Sequence, residues 1–584
     1  MSESSTSTTS SPSLSSVETP PPPSTPPNLH QNTIDPEVKW LVQKYGGTSV
    51  GKFASSIAEN IVPDYLDRHK LAIVCSARSG STKALGTTNL LLRAASEALR
   101  RPPPALVPVQ SGSSTPLTDS LISRCFRTGS PPGTPNTFTE QSTGSFHKTA
   151  DLILSEHLAA ARDCVKGKEL LADLEAEITR DCENLRAFLS ATQVIDEISP
   201  RSKDSIVGFG EKLSCKIICA VLRDRGIDAE YVSLENLVPP HDEVDDSLGQ
   251  DFYDRVSDAF AERIRHCAPR VPIVTGFFGP VPGSLLKQIG RGYTDLAAAL
   301  LAAGLDATEL QIWKEVDGIF TADPRKVSTA RLIPVISPEE AAELTYYGSE
   351  VVHPFTMEQV IRRKIPIRIK NVENPRGGGT VIDPEADLES EDPPPDFGAR
   401  FLDGILANGV IGGVGTPRQR RPTAVTIKER IVVLNVQSNR KSVSHGFLAG
   451  IFTTLDRFGV VVDLISTSEV FVSMAIEDVL DRKLLARLVR DLEKIGIVSV
   501  HHDMAILSMV GKQMRNMVGI AGRMFTTLAQ GNVNIEMISQ GANEINISCV
   551  IDGRDAVKAL NLIHQSCLQI KPEGPKGRVG PWLF

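Results

Sequence analysis

Residues 41–51 read Leu-Val-Gln-Lys-Tyr-Gly-Gly-Thr-Ser-Val-Gly. The apolar start is typical of a buried strand, the two glycines end it, and the chain from Phe53 to about His69 has helical spacing. A strand, a glycine turn and a helix N-terminus together direct free backbone N–H groups at one point, where glycine lets an anion come close. Lys44 adds a positive charge at the end of the strand. The stretch therefore predicts a place where a phosphoryl group is transferred.

Two other interpretations of this stretch compete with that one. Residues 46–52 nearly match the phosphate-binding motif G-x-x-x-x-G-K, but Phe53 follows where that motif needs a Ser or Thr hydroxyl for magnesium. The stretch is also compatible with an ordinary strand–turn–helix that carries a solvent-exposed lysine. The choice depends on motifs further along the chain.

Composition limits the class of protein. The chain has 584 residues, of which 41% are hydrophobic and 23% charged, and this is typical of several globular domains. A net charge of -8 argues against nucleic-acid binding. No apolar stretch reaches the ~18 residues of a membrane helix. The nine cysteines form no C-x-x-C pair, and Cys215 and Cys219 fit helix packing better than metal binding, so we expect a reducing compartment.

The first 36 residues are rich in Ser, Thr and Pro, which predicts a disordered tail. The tail has neither the basic start and apolar core of a secretory signal nor the arginines of a mitochondrial presequence, so we expect a cytoplasmic protein.

From residue 38 to about 383, short apolar runs alternate with amphipathic stretches. The expected strands are Trp40–Lys44, Leu71–Ala77, Ala229–Ser233, Val271–Gly276, Leu310–Val316 and Ile365–Lys370. The expected helices include Asp151–Val165, Lys212–Arg223, Phe252–Cys267 and Asp295–Ala303. This alternation predicts an α/β domain with a mostly parallel sheet sandwiched by helices and with active groups at the carboxyl ends of strands. A Pro-, Ser- and Gly-rich stretch at 101–144 and an acidic one at 241–251 are expected to be disordered surface loops.

The C-terminal third contains an internal repeat with an offset of 73 residues. The matched pairs are Gly446 with Gly519, Phe452 with Phe525, Thr453 with Thr526, Leu455 with Leu528, Asp463 with Glu536, Ile465 with Ile538 and Ser466 with Ser539. Each copy predicts a βαββ order, which fits a ferredoxin-like α+β unit. A pair of such units beside an enzyme domain suggests regulation by a small molecule.

Four segments of the first domain carry polar residues at predicted strand ends or helix starts. In residues 76–89 small hydroxyl residues follow a buried strand, and in residues 208–214 Glu211 suits a substrate ammonium group, although a first-turn helix acid is the alternative. In residues 290–295 Arg291 offers a fork for a carboxylate, while Asp295 is compatible with a simple N-cap. Residues 313–325, mixed aromatic and charged, suit an adenosine pocket.

These motifs resemble aspartate kinase. The resemblance rests on Lys-Tyr-Gly-Gly-Thr-Ser-Val at 44–50, Gly-Glu-Lys-Leu-Ser at 210–214, Gly-Arg-Gly-Tyr-Thr-Asp at 290–295, the stretch 313–325 and the repeat at 447–469. It spans roughly residues 38–570 and is to the monofunctional, fungal-type form. It implies an amino acid kinase fold followed by two ferredoxin-like ACT domains. The expected division is a tail at 1–37, a catalytic domain at 38–384 with an insertion at 101–147, a linker at 385–424, and ACT domains at 425–500 and 501–584.

The resemblance also implies a reaction and its site. ATP with Mg²⁺ would phosphorylate the side-chain carboxylate of L-aspartate to 4-phospho-L-aspartate, the first step towards threonine, methionine and isoleucine. Lys44 would stabilise the γ-phosphoryl and Asp295 would hold Lys44. The implied aspartate-binding residues are Thr88, Glu211, Arg291 and Thr294. The implied ATP-binding residues are Lys44, Gly46, Gly47, Thr48, Ser49, Lys314, Glu315, Phe320 and Arg325. Mg²⁺ would be held mainly by the nucleotide phosphates, so no protein metal ligands are assigned.

The repeat implies an amino-acid effector and a homo-oligomer formed through the ACT domains. The candidate effector residues are Gly446, Phe447, Leu448, Asp463 and Ser468. For Phe447 and Leu448, a plain core position is the alternative. Feedback inhibition by threonine is implied, with lysine as the competing effector, and neither a nucleic acid nor a membrane is expected as a partner.

Some positions depart from the family pattern, and three other functions stay open. Tyr45 stands where Phe is usual, Tyr293 replaces a Gly beside Arg291, and the segment from Ser76 to Asn89 is stretched. Lys370 suits either nucleotide phosphates or a solvated strand end. The other functions are another amino-acid or carbamate kinase, a catalytically silent amino-acid sensor and a P-loop NTPase.

Overall fold

The computed structural model describes residues 29–80, 85–99, 145–238, 248–279, 281, 284–349, 352–386, 421–438, 446–512, 514, 517–541 and 545–570. The predicted insertion up to residue 144, residues 241–247 of the acidic stretch and residues 387–420 of the expected linker lie outside these ranges. The disorder expected for the acidic stretch up to residue 251 is wrong at its end, because a helix begins at Gln250. Within the described ranges, no helix combines the length and the apolar character needed to cross a membrane.

An eight-stranded sheet organises residues 40–382. Its strands are β1 (Trp40–Tyr45), β2 (Lys70–Cys75), β3 (Ala229–Val232), β4 (Val271–Thr275), β5 (Leu310–Lys314), β6 (Val335–Ile336), β7 (Ile367–Asn371) and β8 (Thr380–Ile382). The order across the sheet is β3-β4-β2-β1-β5-β7-β8-β6, and every pair is parallel except β7 with β8. The prediction of a mostly parallel sheet is confirmed, and β1 lies near its centre.

Helices cover both faces of this sheet. They are α1 (Gly47–Lys52), α2 (Ala54–Ser56), α3 (Val62–Leu66), α4 (Thr87–Ala98), α5 (Ser145–Cys164), α6 (Lys168–Ile195), α7 (Pro200–Asp224), α8 (Gln250–Arg265), α9 (Leu285–Gln288), α10 (Tyr293–Gly304), α11 (Pro338–Tyr346) and α12 (Pro354–Ile361). Leu41 and Val42 are both buried, but they pack into different apolar clusters on opposite faces. Burial on both faces is why the strands read as continuous apolar runs.

The helix after the glycine turn begins earlier than predicted. Gly46 has an extended backbone and precedes α1, which starts at Gly47 rather than at Phe53. A Cβ on Gly47 would lie 2.4 Å from the carbonyl oxygen of Ala77, because the segment after β2 passes directly against the turn. This close approach requires glycine at position 47. The absence of a side chain there allows the ends of β1 and β2 to lie together.

The predicted disorder of residues 1–36 is wrong for residues 29–36. The side chain of Asn32 is buried where β2 and β4 begin, and its amide accepts from Leu71 N (2.8 Å) and donates to Leu71 O (3.0 Å). His30 N donates to Gly226 O at 2.7 Å. Residues 29–36 therefore form an ordered segment, which we call the strap. The polar composition of the tail did not predict this order, because the strap is held by one buried amide that pairs with backbone groups left free at the strand starts.

We expect Asn32→Ala to lower the free energy of unfolding by about 1–3 kcal/mol, because it leaves the buried Leu71 N–H and carbonyl without partners. Urea unfolding followed by tryptophan fluorescence measures the change. Ile34→Ala is the control, since Ile34 is 78% exposed and its loss leaves no polar group unpaired. Equal stability of the two variants would show that the strap is not anchored by Asn32.

The C-terminal region forms a second, six-stranded antiparallel sheet. Its strands are β9 (Ala424–Ser438), β10 (Val462–Thr467), β11 (Phe471–Glu477), β12 (Gly496–Val510), β13 (Met537–Ser539) and β14 (Asn546–Asp552), in the order β10-β11-β9-β12-β14-β13. Its helices are α13 (Phe447–Arg457), α14 (Arg482–Glu493), α15 (Ile520–Gln530) and α16 (Ala556–Cys567). The long central strands β9 and β12 pair with each other, so the two repeats share one sheet.

The backbone confirms the 73-residue repeat. Left-handed φ angles occur in pairs with this offset: Gly446 (81°) with Gly519 (86°), Arg430 (58°) with Asp503 (58°), and Gly459 (64°) with Asn532 (52°). The first pair immediately precedes helices α13 and α15, and the second pair bends the long strands β9 and β12. The repeat found in the sequence is therefore also a repeat of the backbone conformation.

Candidate active site

An ion pair lies at the carboxyl edge of the parallel sheet. Lys44, near the end of β1, is 8% exposed, and its Nζ lies 2.7 Å from Asp295 Oδ1. Asp295 lies in the first turn of α10, whose N-cap is Gly292, so the alternative of a simple N-cap at Asp295 is wrong. Asp295 Oδ1 is buried, and within the described residues the ammonium group of Lys44 is the cation it faces, so the two charges compensate each other. A mostly buried ammonium group of this kind is suited to bind an anion.

Glu211 lies in the middle of a helix. Helix α7 runs from Pro200 to Asp224, with Ser199 as its N-cap, so Glu211 is not the first-turn acid that the sequence allowed. The carboxylate is 1% exposed. Thr294 Oγ1 donates to Glu211 Oε1 at 2.6 Å, and the backbone N–H of Phe277 donates to Oε2.

Burial dominates the protonation of Glu211. Removal from water raises the pKa of Glu211 to about 7, and the hydrogen bonds from Thr294 and Phe277 and the charge of Lys44 only partly offset this. A carboxyl group that is poised near neutrality beside a cation is a frequent feature of functional sites.

This pKa predicts how stability depends on pH. Because the folded-state pKa lies above the ordinary value of 4.5, the folded state holds the proton more tightly, and its stability falls as pH rises from 4.5 to 7. The fall amounts to roughly 3 kcal/mol and levels off above pH 7. Urea unfolding at pH 5 and pH 7.5 should show that Glu211→Gln removes this part of the slope, while Glu183→Gln, at an exposed position of α6, keeps it. An unchanged slope in Glu211→Gln would contradict the assignment.

Close backbone approaches bring the neighbouring elements to Glu211. A Cβ on Gly210 would lie 2.9 Å from Ala77 Cβ and 3.0 Å from Thr87 Cγ2, so α7 touches the end of β2 and the start of α4 at this point. A Cβ on Gly276 would lie 2.4 Å from Thr294 Cγ2, so α10 reaches the end of β4 only because residue 276 is glycine. The half-buried Thr88 lies in the first turn of α4, beside this junction.

On the other side of Lys44, the glycine turn meets the end of β5. Ser49 is buried in α1, and its Oγ donates to Glu315 Oε1 at 2.9 Å. Gly46, Gly47 and Thr48 form the half-buried start of α1, and Lys314 ends β5. The turn and the end of β5 therefore form one edge beside Lys44.

Three residues that were considered for nucleotide binding make local contacts of their own. Arg325 is 90% exposed in a turn, where it pairs with Asp323, and Phe320 forms a β-bridge with Leu332. Lys370 is 7% exposed, so a solvated strand end is wrong: its Nζ donates to Tyr65 Oη at 2.9 Å and lies 5.1 Å from the centre of the Trp313 ring.

Two further charged residues lie near the starts of α10 and α7, namely Arg291 and Asp204. Arg291 lies in the 3-10 turn Gly290–Gly292 before α10, and its side chain lies outside what the structure describes. Asp204, which the sequence interpretation missed, is buried on the same face of α7 as Glu211, two turns earlier, and accepts from Ser284 Oγ (2.9 Å) and Leu285 N (2.6 Å) at the start of α9. The seven-residue spacing of Asp204 and Glu211 is the signal that reveals this shared face.

The candidate effector residues lie in three places, which are the start of α13, strand β10 and the turn after β10. Phe447 is buried in the apolar core of the first repeat, as the core alternative stated, whereas Leu448 is 43% exposed. Asp463 Oδ1 accepts from Lys428 Nζ at 2.7 Å. In this structure the carboxylate of Asp463 therefore binds an ammonium group of the protein itself. Ser468 lies in the turn between β10 and β11.

Comparison with known proteins gives the family. Residues 39–371 match the amino acid kinase family, and residues 507–567 match the ACT domain. The aspartokinase of Schizosaccharomyces pombe is 48% identical over 536 residues, which cover 92% of this chain and 94% of the relative. The structure of Escherichia coli aspartokinase III with lysine and aspartate superposes with a TM-score of 0.64 at 24% identity, over 90% of this chain and 99% of that one, and its complex with aspartate and ADP gives 0.62 at 24% identity over the same shares. This protein therefore belongs to the aspartokinases of the amino acid kinase family.

Proposed function

We propose that this aspartate kinase transfers the γ-phosphoryl group of ATP to the side-chain carboxylate of L-aspartate at the carboxyl edge of the parallel sheet, where Lys44, Asp295 and Glu211 lie. The observation that carries the proposal is the Lys44–Asp295 ion pair beside the buried carboxylate of Glu211. The product is 4-phospho-L-aspartate.

The chemistry of this reaction suits the groups at the site. A carboxylate is already a nucleophile, so no strong general base is needed. The obstacle is the approach of one anion to another, and catalysis therefore consists of positioning and charge neutralisation. Lys44 supplies the neutralising charge, and Asp295 holds its ammonium group in register. The N–H groups at the start of α1, from Gly46 and Gly47 onwards, donate to the phosphate oxygens.

Aspartate recognition is assigned to the opposite side of the ion pair. Arg291 binds the α-carboxylate, Glu211 accepts from the α-ammonium, and Thr88 and Thr294 complete the pocket. A carboxylate has about four acceptor positions. Glu211 therefore keeps acceptor capacity after the bonds from Thr294 and Phe277.

The nucleotide lies over the glycine turn and the end of β5. We assign Thr48, Ser49, Lys314 and Glu315 to its phosphates and ribose, and Phe320 and Arg325 to its adenosine. Mg²⁺ would be held mainly by the nucleotide phosphates and would neutralise part of their charge. The aspartate and ADP complex of Escherichia coli aspartokinase III supports a site of this kind.

Acceptor discrimination tests the proposed reaction. The purified chain is incubated with ATP, Mg²⁺ and hydroxylamine, together with L-aspartate, L-glutamate or N-acetylglutamate, and the hydroxamate is measured. We expect a hydroxamate from L-aspartate. A product from glutamate or N-acetylglutamate alone would favour another amino-acid kinase, and phosphate release without hydroxamate would favour an NTPase.

Regulation by an amino acid at the ACT domains is the second part of the proposal. We assign threonine as the effector, with contacts from Gly446, Leu448, Asp463 and Ser468, and a homo-oligomer formed through these domains. The complex of Escherichia coli aspartokinase III with lysine supports amino-acid binding in this family and makes lysine the competing effector. Inhibition assays with each amino acid, and light scattering for the oligomer, test these assignments.

A further inference from the structure

The carboxylate of Asp204 joins helices α7 and α9. Asp204 lies in the second turn of α7 and is 1% exposed. Its Oδ1 accepts from Ser284 Oγ at 2.9 Å and from Leu286 N at 3.3 Å, and its Oδ2 accepts from Leu285 N at 2.6 Å. The donors are the N-cap and the first two residues of α9. One buried side chain of α7 therefore holds the start of α9.

A second bond ties α7 to the same stretch of chain. Thr294 Oγ1, in the first turn of α10, donates to Glu211 Oε1 at 2.6 Å. Because Glu211 follows Asp204 by seven residues, the two carboxylates lie on one face of α7, about 10 Å apart along its axis at a rise of ~1.5 Å per residue. The segment 284–294 is therefore attached to one helix at both of its ends.

The middle of this segment has less support. It is the 3-10 turn Gly290–Gly292, which contains Arg291. Within the part of the chain that the structure describes, a Cβ built on Gly290 or on Gly292 would meet no atom within 4 Å, so the turn faces open space at both glycines. Glycine on each side of Arg291 also leaves the backbone free to change conformation. The position of Arg291 therefore depends on the two attachments to α7.

We propose that Asp204 is a positioning residue for L-aspartate, because it holds the start of α9 on α7 and thereby keeps Arg291 at a fixed distance from Glu211. This inference rests on the proposed function, in which Arg291 binds the α-carboxylate and Glu211 accepts from the α-ammonium. Both of these substrate groups are bonded to one carbon atom, so the two protein groups must match a fixed separation. Asp204 acts through α9 and the turn, not by contact with the substrate.

The test is Asp204→Asn, which keeps the size of the side chain but places an NH2 group against donors at the start of α9. The KM for L-aspartate, the KM for ATP and kcat are measured with the full chain. We expect the KM for L-aspartate to rise about tenfold, which corresponds to the loss of one hydrogen bond to a charged group. The KM for ATP and kcat at saturating L-aspartate should change by less than about twofold, because only substrate binding is weakened.

Asp224→Asn is the matched control. Asp224 is the last residue of α7, and its carboxylate accepts from Lys166 N (2.9 Å) and Gly167 N (2.8 Å) at the start of α6. It also holds the start of another helix on α7, but at the end opposite to Asp204. Asp224→Asn should keep the wild-type KM for L-aspartate. An equal rise in both variants would overturn the inference, because it would reflect a general loosening of α7.

A milder variant covers the case in which Asp204→Asn does not fold, which thermal unfolding would show. Ser284→Ala removes one of the three donors to Asp204 and leaves the carboxylate in place. It should raise the KM for L-aspartate about threefold, since part of a hydrogen-bonded attachment is lost. An unchanged KM in Ser284→Ala would then overturn the inference.

A double-mutant cycle with Arg291→Ala shows whether Asp204 acts through Arg291. The variant with both Asp204→Asn and Arg291→Ala should have the KM for L-aspartate of Arg291→Ala alone, whereas KM increases that multiply would overturn the inference. If Arg291→Ala leaves this KM unchanged, the proposed contact with the α-carboxylate is wrong, and the role of Asp204 is wrong with it. If Arg291→Ala raises the KM and Asp204→Asn does not, only the inference about Asp204 fails.

Discussion

Lys44→Ala should lower kcat at least about a hundredfold while the protein stays folded. The ammonium group is 8% exposed at the carboxyl end of β1, where it lies 2.7 Å from Asp295 Oδ1. Loss of one well-placed donor to charge that develops in a transition state removes ~3–4 kcal/mol of stabilisation. Since the reaction joins two anions, loss of this charge leaves their repulsion less neutralised in the transition state. Steady-state kinetics at saturating ATP and L-aspartate measure the loss.

Lys52→Ala is the matched control for this prediction. Lys52 is exposed at the end of α1 and occupies the lysine position of the near-match to G-x-x-x-x-G-K. If the glycine turn acted as a P-loop, Lys52 would be the essential cation. We expect Lys52→Ala to retain nearly full kcat. The reverse pattern, with a large loss in Lys52→Ala and a small one in Lys44→Ala, would refute the role of Lys44.

The second large effect is expected for Asp295→Asn. Without the carboxylate, the poorly exposed ammonium of Lys44 loses the charge that holds it. We expect kcat/KM to fall by about ten- to a hundredfold, because a misplacement of about 1 Å at a reacting centre costs up to about a hundredfold. The amide keeps the size of the side chain, so the start of α10 should remain in place. Asp251→Asn, at an exposed first-turn position of α8, is the control and should leave kcat/KM unchanged.

A double-mutant cycle tests whether Asp295 acts through Lys44. Residues that act as one unit lose activity non-additively. The variant with both Lys44→Ala and Asp295→Asn should therefore be little worse than Lys44→Ala alone. Fully additive losses would mean that Asp295 has a separate role, and the ion pair would then not be the functional unit.

The sheet could be predicted from the sequence because its strands are buried on both faces. Each of the six predicted strands overlaps an observed one, and the carboxyl ends of β1 and β5 meet where Lys44 and Glu315 suggested. The repeat was equally visible, since its offset recurs in the left-handed residues Gly446 and Gly519. Local pattern was sufficient in these places because burial and glycine conformation are properties of single positions.

Features that depend on distant partners could not be predicted in the same way. The strap at Asn32 exists because a single amide pairs with β2, 39 residues away. Helix α7 begins at Pro200, well before the predicted start at Lys212, because its first turns pack against distant elements such as α9. The longer helix places Glu211 in its middle and not in its first turn. The backbone N–H of Phe277, which donates to Glu211, could not be identified from the sequence.

The origin of the oxygen that bridges to phosphorus tests the central claim most directly. L-Aspartate labelled with 18O in its side-chain carboxylate is incubated with the enzyme, ATP, Mg²⁺ and hydroxylamine. Hydroxylamine attacks the acyl carbon, so the bridging oxygen leaves with the phosphate, which is then analysed by mass spectrometry. We predict one 18O atom in each phosphate released together with aspartyl hydroxamate. Unlabelled phosphate would contradict the account, since the side-chain carboxylate would then not be the group that attacks ATP.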